Sequence, residues 1–265
     1  FFTNRQVFSE ISENKISNSL VDYVVSELKT NLENGIIDSD DLAAMLYLKF
    51  KIEGAPDKFK FQHIVIDEAQ DYSIFQILVL KDMAYNKSFT IVGDIGQGIY
   101  YYKGIDEWDR INKEVFEDEA SYMPLTQSYR STVEIIEFAN KVLRKQKNKL
   151  EPAIPVLRHG KKPEIIEFFT AKEFGCRVDN IVKEVEALGK KNIAIIGRTY
   201  DECKRIKDTL KKSSEYDWEL IKDTDKTLKL EKIIIPSYLT KGLEFDCSVI
   251  YNCNNEVYSD NELNK

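Results

Sequence analysis

The chain has 265 residues, 43% of them hydrophobic and 31% charged, enough to bury one large core or two modest ones, which excludes an intrinsically disordered protein. A formal net charge of −7 excludes a surface that is basic throughout, while leaving room for a local basic groove. The longest apolar stretches, such as 74–80 and 233–236, are far too short to span a bilayer, and no basic segment leads into an apolar one at the start, so the expectation is a cytoplasmic protein with no membrane partner.

Helical periodicity comes first along the chain. Leu20, Val24, Val25, Leu28 and Leu32 fall on one face, and Ser39-Asp40-Asp41 opens a second helix. Gly54-Ala55-Pro56-Asp57 breaks the pattern, and an apolar strand follows over 63–66, of the kind buried at the centre of a parallel sheet. Ser73-Ile74-Phe75-Gln76 has the spacing of a capping box, which starts a helix by pairing a side-chain oxygen with a backbone N–H and the reverse. A second buried strand covers 89–92 and ends at Gly93-Asp94, ahead of a glycine loop, Ile95-Gly96-Gln97-Gly98.

Ser131-Thr132-Val133-Glu134 has capping-box spacing too and leads a helix carrying Ile135, Ile136, Phe138, Ala139, Val142 and Leu143. It fades into the lysine-rich stretch 144–149, with Pro152 and Pro155 beyond, a composition shift that marks the best boundary or hinge. Beyond it the spacing predicts a strand over 164–169, a helix over 172–188, a strand over 192–196, a helix over 200–212, and strands over 230–235 and 247–251. Thr170 with Glu173, and Thr199 with Glu202, have the spacing to cap the two helices. Strands alternating with helices imply a wound, parallel α/β sheet. Cys176, Cys203, Cys247 and Cys253 form no C-x-x-C pair, and the histidines are His63 and His159, so reduced thiols are expected in place of zinc.

The segment most informative about chemistry is Asp67-Glu68-Ala69-Gln70-Asp71, because the strand before it delivers two adjacent carboxylates to the sheet edge where ligands of open α/β proteins gather. Such a pair suits magnesium and a hydrolytic water; taken alone it is equally a solvated acidic turn. Three further segments follow it: Val92-Gly93-Asp94 with Gln97-Gly98-Ile99-Tyr100, then Gln127-Ser128-Tyr129-Arg130-Ser131-Thr132, then Lys241-Gly242-Leu243-Glu244-Phe245. In this order, over nearly 180 residues, they resemble the superfamily 1 helicases of the UvrD/Rep type. Tyr238-Leu239-Thr240 before Lys241, and Asp246 after Phe245, are most similar to the HelD-like branch of that family.

The resemblance implies an α/β P-loop NTPase fold with RecA-like, three-layer parallel sheets. Residues 1–55 would be a helical lead-in, 56–150 part of the first RecA-like domain with its hinge, and 151–265 most of the second. It implies ATP and Mg²⁺ as cofactors. Asp67 would hold the metal, Glu68 would orient and deprotonate the attacking water, and Gln97 would sense the γ-phosphate from a loop that Asp94 positions. Gly96 and Gly98 flank Gln97 here, a looser setting than relatives usually have. Arg130 would neutralise charge developing on the γ-phosphate; its plain alternative, a surface arginine at a helix start, conflicts with the positive end of the helix dipole.

Glu244 would hydrogen-bond the ATP ribose, with Thr240, Lys241 and Gly242 in a tight turn near the phosphates and the DNA backbone. Tyr100 and Tyr102, followed by Lys103, would stack single-stranded bases, unless one or two of these rings belong to the core. The implied partner is single-stranded or tailed duplex DNA. In a HelD-like reading the partner is RNA polymerase, and unwinding is not the main activity. No G-x-x-x-x-G-K-[ST] phosphate loop occurs in the sequence, and it opens on Phe1. The expectation is therefore a piece of a longer helicase that does not hydrolyse ATP alone.

Overall fold

The computed structural model describes residues 3–11, 15–98, 104–105, 107–145, 150–225, 229–254 and 256–258. They divide into two units, Phe1–Pro124 and Leu125–Lys265.

In the first unit the order is α1 (Arg5–Ile11), α2 (Asn18–Glu33), α3 (Ser39–Glu53), β1 (Ile64–Ile66), α4 (Ile74–Asp82), β2 (Phe89–Ile91) and α5 (Trp108–Phe116). Ser17 and Asp38 cap α2 and α3 by accepting from the N–H groups of Leu20 and Asp40, satisfying donors that the first turn leaves free. Val21 and Val25 are the buried residues of α2, whereas Leu20 and Leu32 are about half exposed. The apolar face is therefore rotated from the expected one; α1 packs on α2, and its Arg5 pairs with Asp22.

β1 and β2 pair in parallel with Ile64 opposite Phe89 and Ile66 opposite Ile91. The expectation of a strand buried on both faces is met at Ile66, 4% exposed, and not at Val65, 66% exposed: side chains alternate across a strand, and β2 is the strand paired with β1 among the described residues. Both bonds of the Ser73–Gln76 capping box are present at the start of α4. Tyr47 of α3 meets Phe75 of α4 edge to face at 5.2 Å, and Phe89 meets Phe116 at 5.4 Å. α5 has no counterpart among the expected elements; its signal is Ile111, Val115 and Phe116, buried at helical spacing.

The second unit runs β3 (Gln127–Ser128), α6 (Val133–Leu143), β4 (Ile154–Pro155), α7 (Ala171–Ala187), β5 (Ile193–Gly197), α8 (Tyr200–Ser213), β6 (Glu219–Leu220), β7 (Lys232–Pro236) and β8 (Cys247–Ile250). β3 and β4 form a short parallel pair, and the main sheet has the order β6-β7-β5-β8, all parallel. The isoleucine runs of β5 and β7 suit burial on both faces. Ile193, Ile195 and Ile234 pack against Phe174, Val178 and Val182 of α7 and Cys203, Ile206 and Leu210 of α8. On the opposite face Ala194, Ile233 and Ile235 are covered by Leu230, Leu239, Leu243 and Phe245.

The two helices approach closely at Gly175, where a Cβ would lie 2.0 Å from the carbonyl oxygen of Ser213. Thr170 and Thr199 cap α7 and α8 as their spacing predicts, and Glu173 and Glu202 accept in return from the N–H groups of Phe169 and Arg198. Residues 164–169 are not a strand. No ladder partner adjoins them among the described residues; Phe168 packs on Phe174 and Tyr251, while Ile165 and Phe169 are more than four-fifths exposed. The stretch around residue 150, expected as a domain boundary, lies inside the second unit, where Asn140 of α6 holds both backbone groups of Ala153 next to β4. All four cysteines are free, and burial pushes the Cys203 thiol up to about 11. Among the described residues no helix is long and apolar enough to cross a membrane.

Candidate active site

At the carboxyl end of β1 the chain turns sharply. Glu68 adopts φ 52° and ψ 41°, left-handed values that cost a side-chain-bearing residue free energy, and a 3₁₀ turn, Ala69–Asp71, follows. The turn is held by the Glu68 N–H donating to Asp67 Oδ1 at 2.8 Å and the Ala69 N–H donating to the Val92 carbonyl at 2.9 Å. Asp67 stays exposed and Glu68 half-buried.

Gln70 is completely buried beneath them. Its Nε2 donates to Glu68 Oε2 at 2.7 Å and its Oε1 accepts the Asp94 N–H at 2.9 Å. Gly93 makes room for it, since a Cβ there would lie 2.5 Å from Gln70 Oε1. Asp94 in turn caps the short 3₁₀ turn Ile95–Gln97: Oδ1 accepts from the Gly96 N–H at 2.9 Å and Oδ2 from Gln97 Nε2 at 2.7 Å. Between its flanking glycines Gln97 is thus tied to Asp94 by its side chain. A continuous chain of hydrogen bonds runs from Glu68 through Gln70 and Asp94 to Gln97.

The corner suits a magnesium nucleotide. Among the described residues no three histidine, cysteine or carboxylate side chains gather as a metal cage, but Mg²⁺ bound to phosphates characteristically takes one or two protein carboxylates and fills the rest with phosphate oxygens and water. The exposed carboxylate of Asp67 at the strand end meets that requirement.

In the second unit Arg130 occupies the turn between β3 and α6. Its Nε donates to Glu244 Oε1 at 2.6 Å, and both side chains are about two-thirds exposed. The loop carrying Glu244 begins at the 3₁₀ turn Ser237–Leu239 after β7, where Thr240 Oγ1 donates to the Ser237 carbonyl at 2.7 Å and the Leu243 N–H donates to the Thr240 carbonyl at 3.0 Å. Gly242 supplies a φ of 75° in that loop, and Lys241 beside it is half-buried. The structure thus brings the expected arginine and the expected ribose-binding glutamate together as an ion pair.

The start of α6 is not a capping box. Thr132 is the cap residue but makes no side-chain capping bond. Glu134 turns instead to His159 Nδ1 at 2.9 Å and the Gly160 N–H at 2.9 Å. These two bonds, the histidine first, hold its carboxyl well below the usual range, at about 2.

Of the expected site residues, Asp67, Glu68, Asp94 and Gln97 share the first unit's corner, and Arg130, Thr240, Lys241, Gly242 and Glu244 belong to the second unit. Tyr100, Tyr102 and Lys103 lie outside the described residues. Gln70 and Glu134 carry more of the local architecture than their motifs suggest. A glutamine two residues beyond a carboxylate pair is the signal for the first; a histidine-glycine pair after the prolines is the only one for the second.

Parallel strands that end in a carboxylate pair and in a Gly-Asp loop place these side chains at the edge where open α/β proteins gather their ligands. The UvrD/REP helicase N-terminal domain matches residues 3–114 and the UvrD-like helicase C-terminal domain matches residues 123–225. The first match takes in α1, α2 and α3. The chain is 30% identical over 213 residues to the ATP-dependent DNA helicase PcrA of Bacillus subtilis, a match covering 75% of this chain and 29% of that protein. It is likewise 30% identical over 192 residues to PcrA of Staphylococcus epidermidis and over 190 residues to PcrA of Staphylococcus aureus, 68% of this chain and 26% of each relative. It therefore spans less than a third of the length of these relatives. The chain belongs to the UvrD/Rep-type helicases of superfamily 1, and its fold is their RecA-like P-loop α/β fold.

Proposed function

We propose that this chain is the part of an ATP-dependent DNA helicase that supplies the magnesium carboxylate, the water-activating base, the phosphate sensor and the arginine, in a longer protein that also carries a phosphate-binding loop. The observation that carries the reading is the hydrogen-bonded corner of Glu68, Gln70, Asp94 and Gln97 beside the exposed Asp67. Mg²⁺, when held through Asp67, supplies charge neutralisation at the phosphates. Glu68 accepts a proton from the attacking water, Gln97 contacts the γ-phosphate, and Arg130 stabilises the charge that develops there. Glu244 holds the ribose, Thr240 and Lys241 track the DNA backbone, and the tyrosines at 100 and 102 stack single-stranded bases, with Lys103 beside them.

Turnover then depends on Glu68. In the full-length protein Glu68→Gln is expected to lower DNA-stimulated ATP hydrolysis by about 10²- to 10⁴-fold, the usual contribution of a general base. Hydrolysis that survives the substitution would overturn the assignment. Magnesium-dependent turnover by the 265-residue chain alone would overturn the placing of the phosphate loop elsewhere.

A second reading, a HelD-like ATPase that remodels RNA polymerase, rests on Tyr238-Leu239-Thr240 and Asp246 around the last motif. Both flanks also have local work: the Tyr238 hydroxyl donates to Asp223 at 3.0 Å, and Asp246 accepts from the N–H groups of Lys191 and Asn192. Retention of polymerase by the full-length protein, together with no strand separation on a tailed duplex, would favour this reading; the reverse pattern favours the helicase.

A further inference from the structure

Among the described residues Gln70 is the one fully buried polar side chain of the first unit, and both ends of its amide are used. The chemistry of its partners fixes which way the amide lies. The Glu68 carboxylate is an acceptor and the Asp94 backbone N–H is a donor, so the nitrogen must face Glu68 and the oxygen must face Asp94. A carboxamide provides one donor and one acceptor at this reach; an aliphatic side chain provides neither, and an ionised carboxylate sets like charge against Glu68. Burial adds to the effect, because a hydrogen bond shielded from water is stronger and its loss leaves a polar group unpaired. The space for the amide exists only because residue 93 is glycine. Ile105, whose N–H donates to the Gln70 carbonyl at 3.2 Å, is itself buried, so the backbone of Gln70 is anchored as well.

We infer that Gln70 is a positioning residue that ties the water-activating Glu68 to the Asp94–Gln97 phosphate-sensing loop, so that a shift in the loop is transmitted to the base through one buried amide. The inference rests on the roles assigned above to Glu68 and Gln97. Movement of Gln97 pulls on Asp94 through Oδ2, and Asp94 pulls on Gln70 Oε1 through its N–H. The Glu68 carboxylate, held by Gln70 Nε2, then turns with the loop.

Two variants test this in the full-length protein. Gln70→Leu removes both bonds and is expected to lower kcat by about 100-fold, the size of loss that a misplacement of about 1 Å brings, with KM for ATP changed much less. Gln70→Glu keeps the acceptor for the Asp94 N–H but faces Glu68 with a second carboxyl. One of the two groups then holds a proton to higher pH than a lone carboxyl does, because two adjacent carboxylates repel each other. While protonated, the introduced carboxyl donates to Glu68 as the amide does. Its hydrolysis rate is therefore expected to fall as pH rises through the loss of the shared proton, in a range where the native rate does not fall. A purely structural glutamine would not produce that descent.

A separate arm uses the 265-residue chain itself. Amide hydrogen exchange at Asp94 is expected to quicken by about tenfold or more in Gln70→Leu and to stay near native in Gln70→Glu, consistent with loss or retention of about one buried hydrogen bond. Unchanged exchange at Asp94, or a Gln70→Glu pH profile that superimposes on the native one, would overturn the link. A native full-length protein that does not hydrolyse ATP would instead overturn the proposed function, and the exchange arm would still decide whether Gln70 joins the two loops.

Discussion

At the scale of single residues, the Arg130–Glu244 pair separates stability from function. An ion pair with both side chains about two-thirds exposed contributes about 0–1 kcal/mol, since water screens the charges and two long side chains lose rotamer freedom. Under the proposed function each partner would thus be released cheaply to a nucleotide. Glu244→Ala is expected to leave the free energy of unfolding within about 1 kcal/mol of native in urea titrations while weakening ATP binding. Arg130→Ala should be equally mild for folding and lower kcat by about 10³- to 10⁵-fold. A loss of stability well above 1 kcal/mol in either variant would make the pair a structural element. Glu68 shows the opposite balance: its left-handed backbone is held in place by Asp67, and its carboxylate by Gln70.

At the scale of elements, α6 is the instructive helix. None of its residues is buried, and Ile135, Phe138 and Val142 are 41–55% exposed. Polar clamps hold it in place: Asn140 on the backbone of Ala153, and Glu134 on His159 and Gly160. Gly160 passes so close that a Cβ would meet Thr132 Cγ2 at 2.7 Å. Because the Glu134 carboxyl is held at about 2 from an ordinary value of 4.5, the folded state favours its charged form. Its contribution is fully present above the unfolded value and is lost as pH falls from about 4.5 towards 2. Glu134→Gln should therefore flatten the acid limb of a stability-against-pH curve measured by thermal unfolding, with a smaller difference from native at pH below about 2 than at neutral pH. An acid limb unchanged by the substitution would show that the clamp does not bear on folding.

At the scale of the whole molecule, the main sheet of the second unit depends on a core with isoleucines on both faces. Ile193, Ile195, Ile233, Ile234 and Ile235 are all 0% exposed, and Ile234 packs among side chains of α7 and α8. Ile234→Ala is expected to cost about 2–5 kcal/mol, the transfer of the lost methyl groups plus the cavity they leave. Hydrogen exchange at the amides of β5 and β7 would read that loss directly, and an effect below about 1 kcal/mol would mean that the site collapses around the smaller residue.

Much of this was legible in the sequence wherever the cause is local. The isoleucine runs, the Ser73, Thr170 and Thr199 caps and the turn after Ile66 each depend on a few consecutive residues, so the parallel α/β order and the carboxylate corner can be read without a structure. Even there, helical spacing identified α2 but not its buried face, because tertiary packing decides between Val21 and Leu20. Residues 164–169 have the composition of a strand, yet a strand exists only where a neighbour offers its backbone. Arg130 and Glu244 are 114 positions apart, Glu134 and His159 are 25 apart, and Gln70 meets Asp94 across 24. The sequence by itself determined the order of elements and which chemical groups stand at the strand ends. Only the tertiary structure decided which of those groups face each other and which are buried, because hydrogen-bond partners and burial are set by what the folded chain brings alongside from far away in sequence.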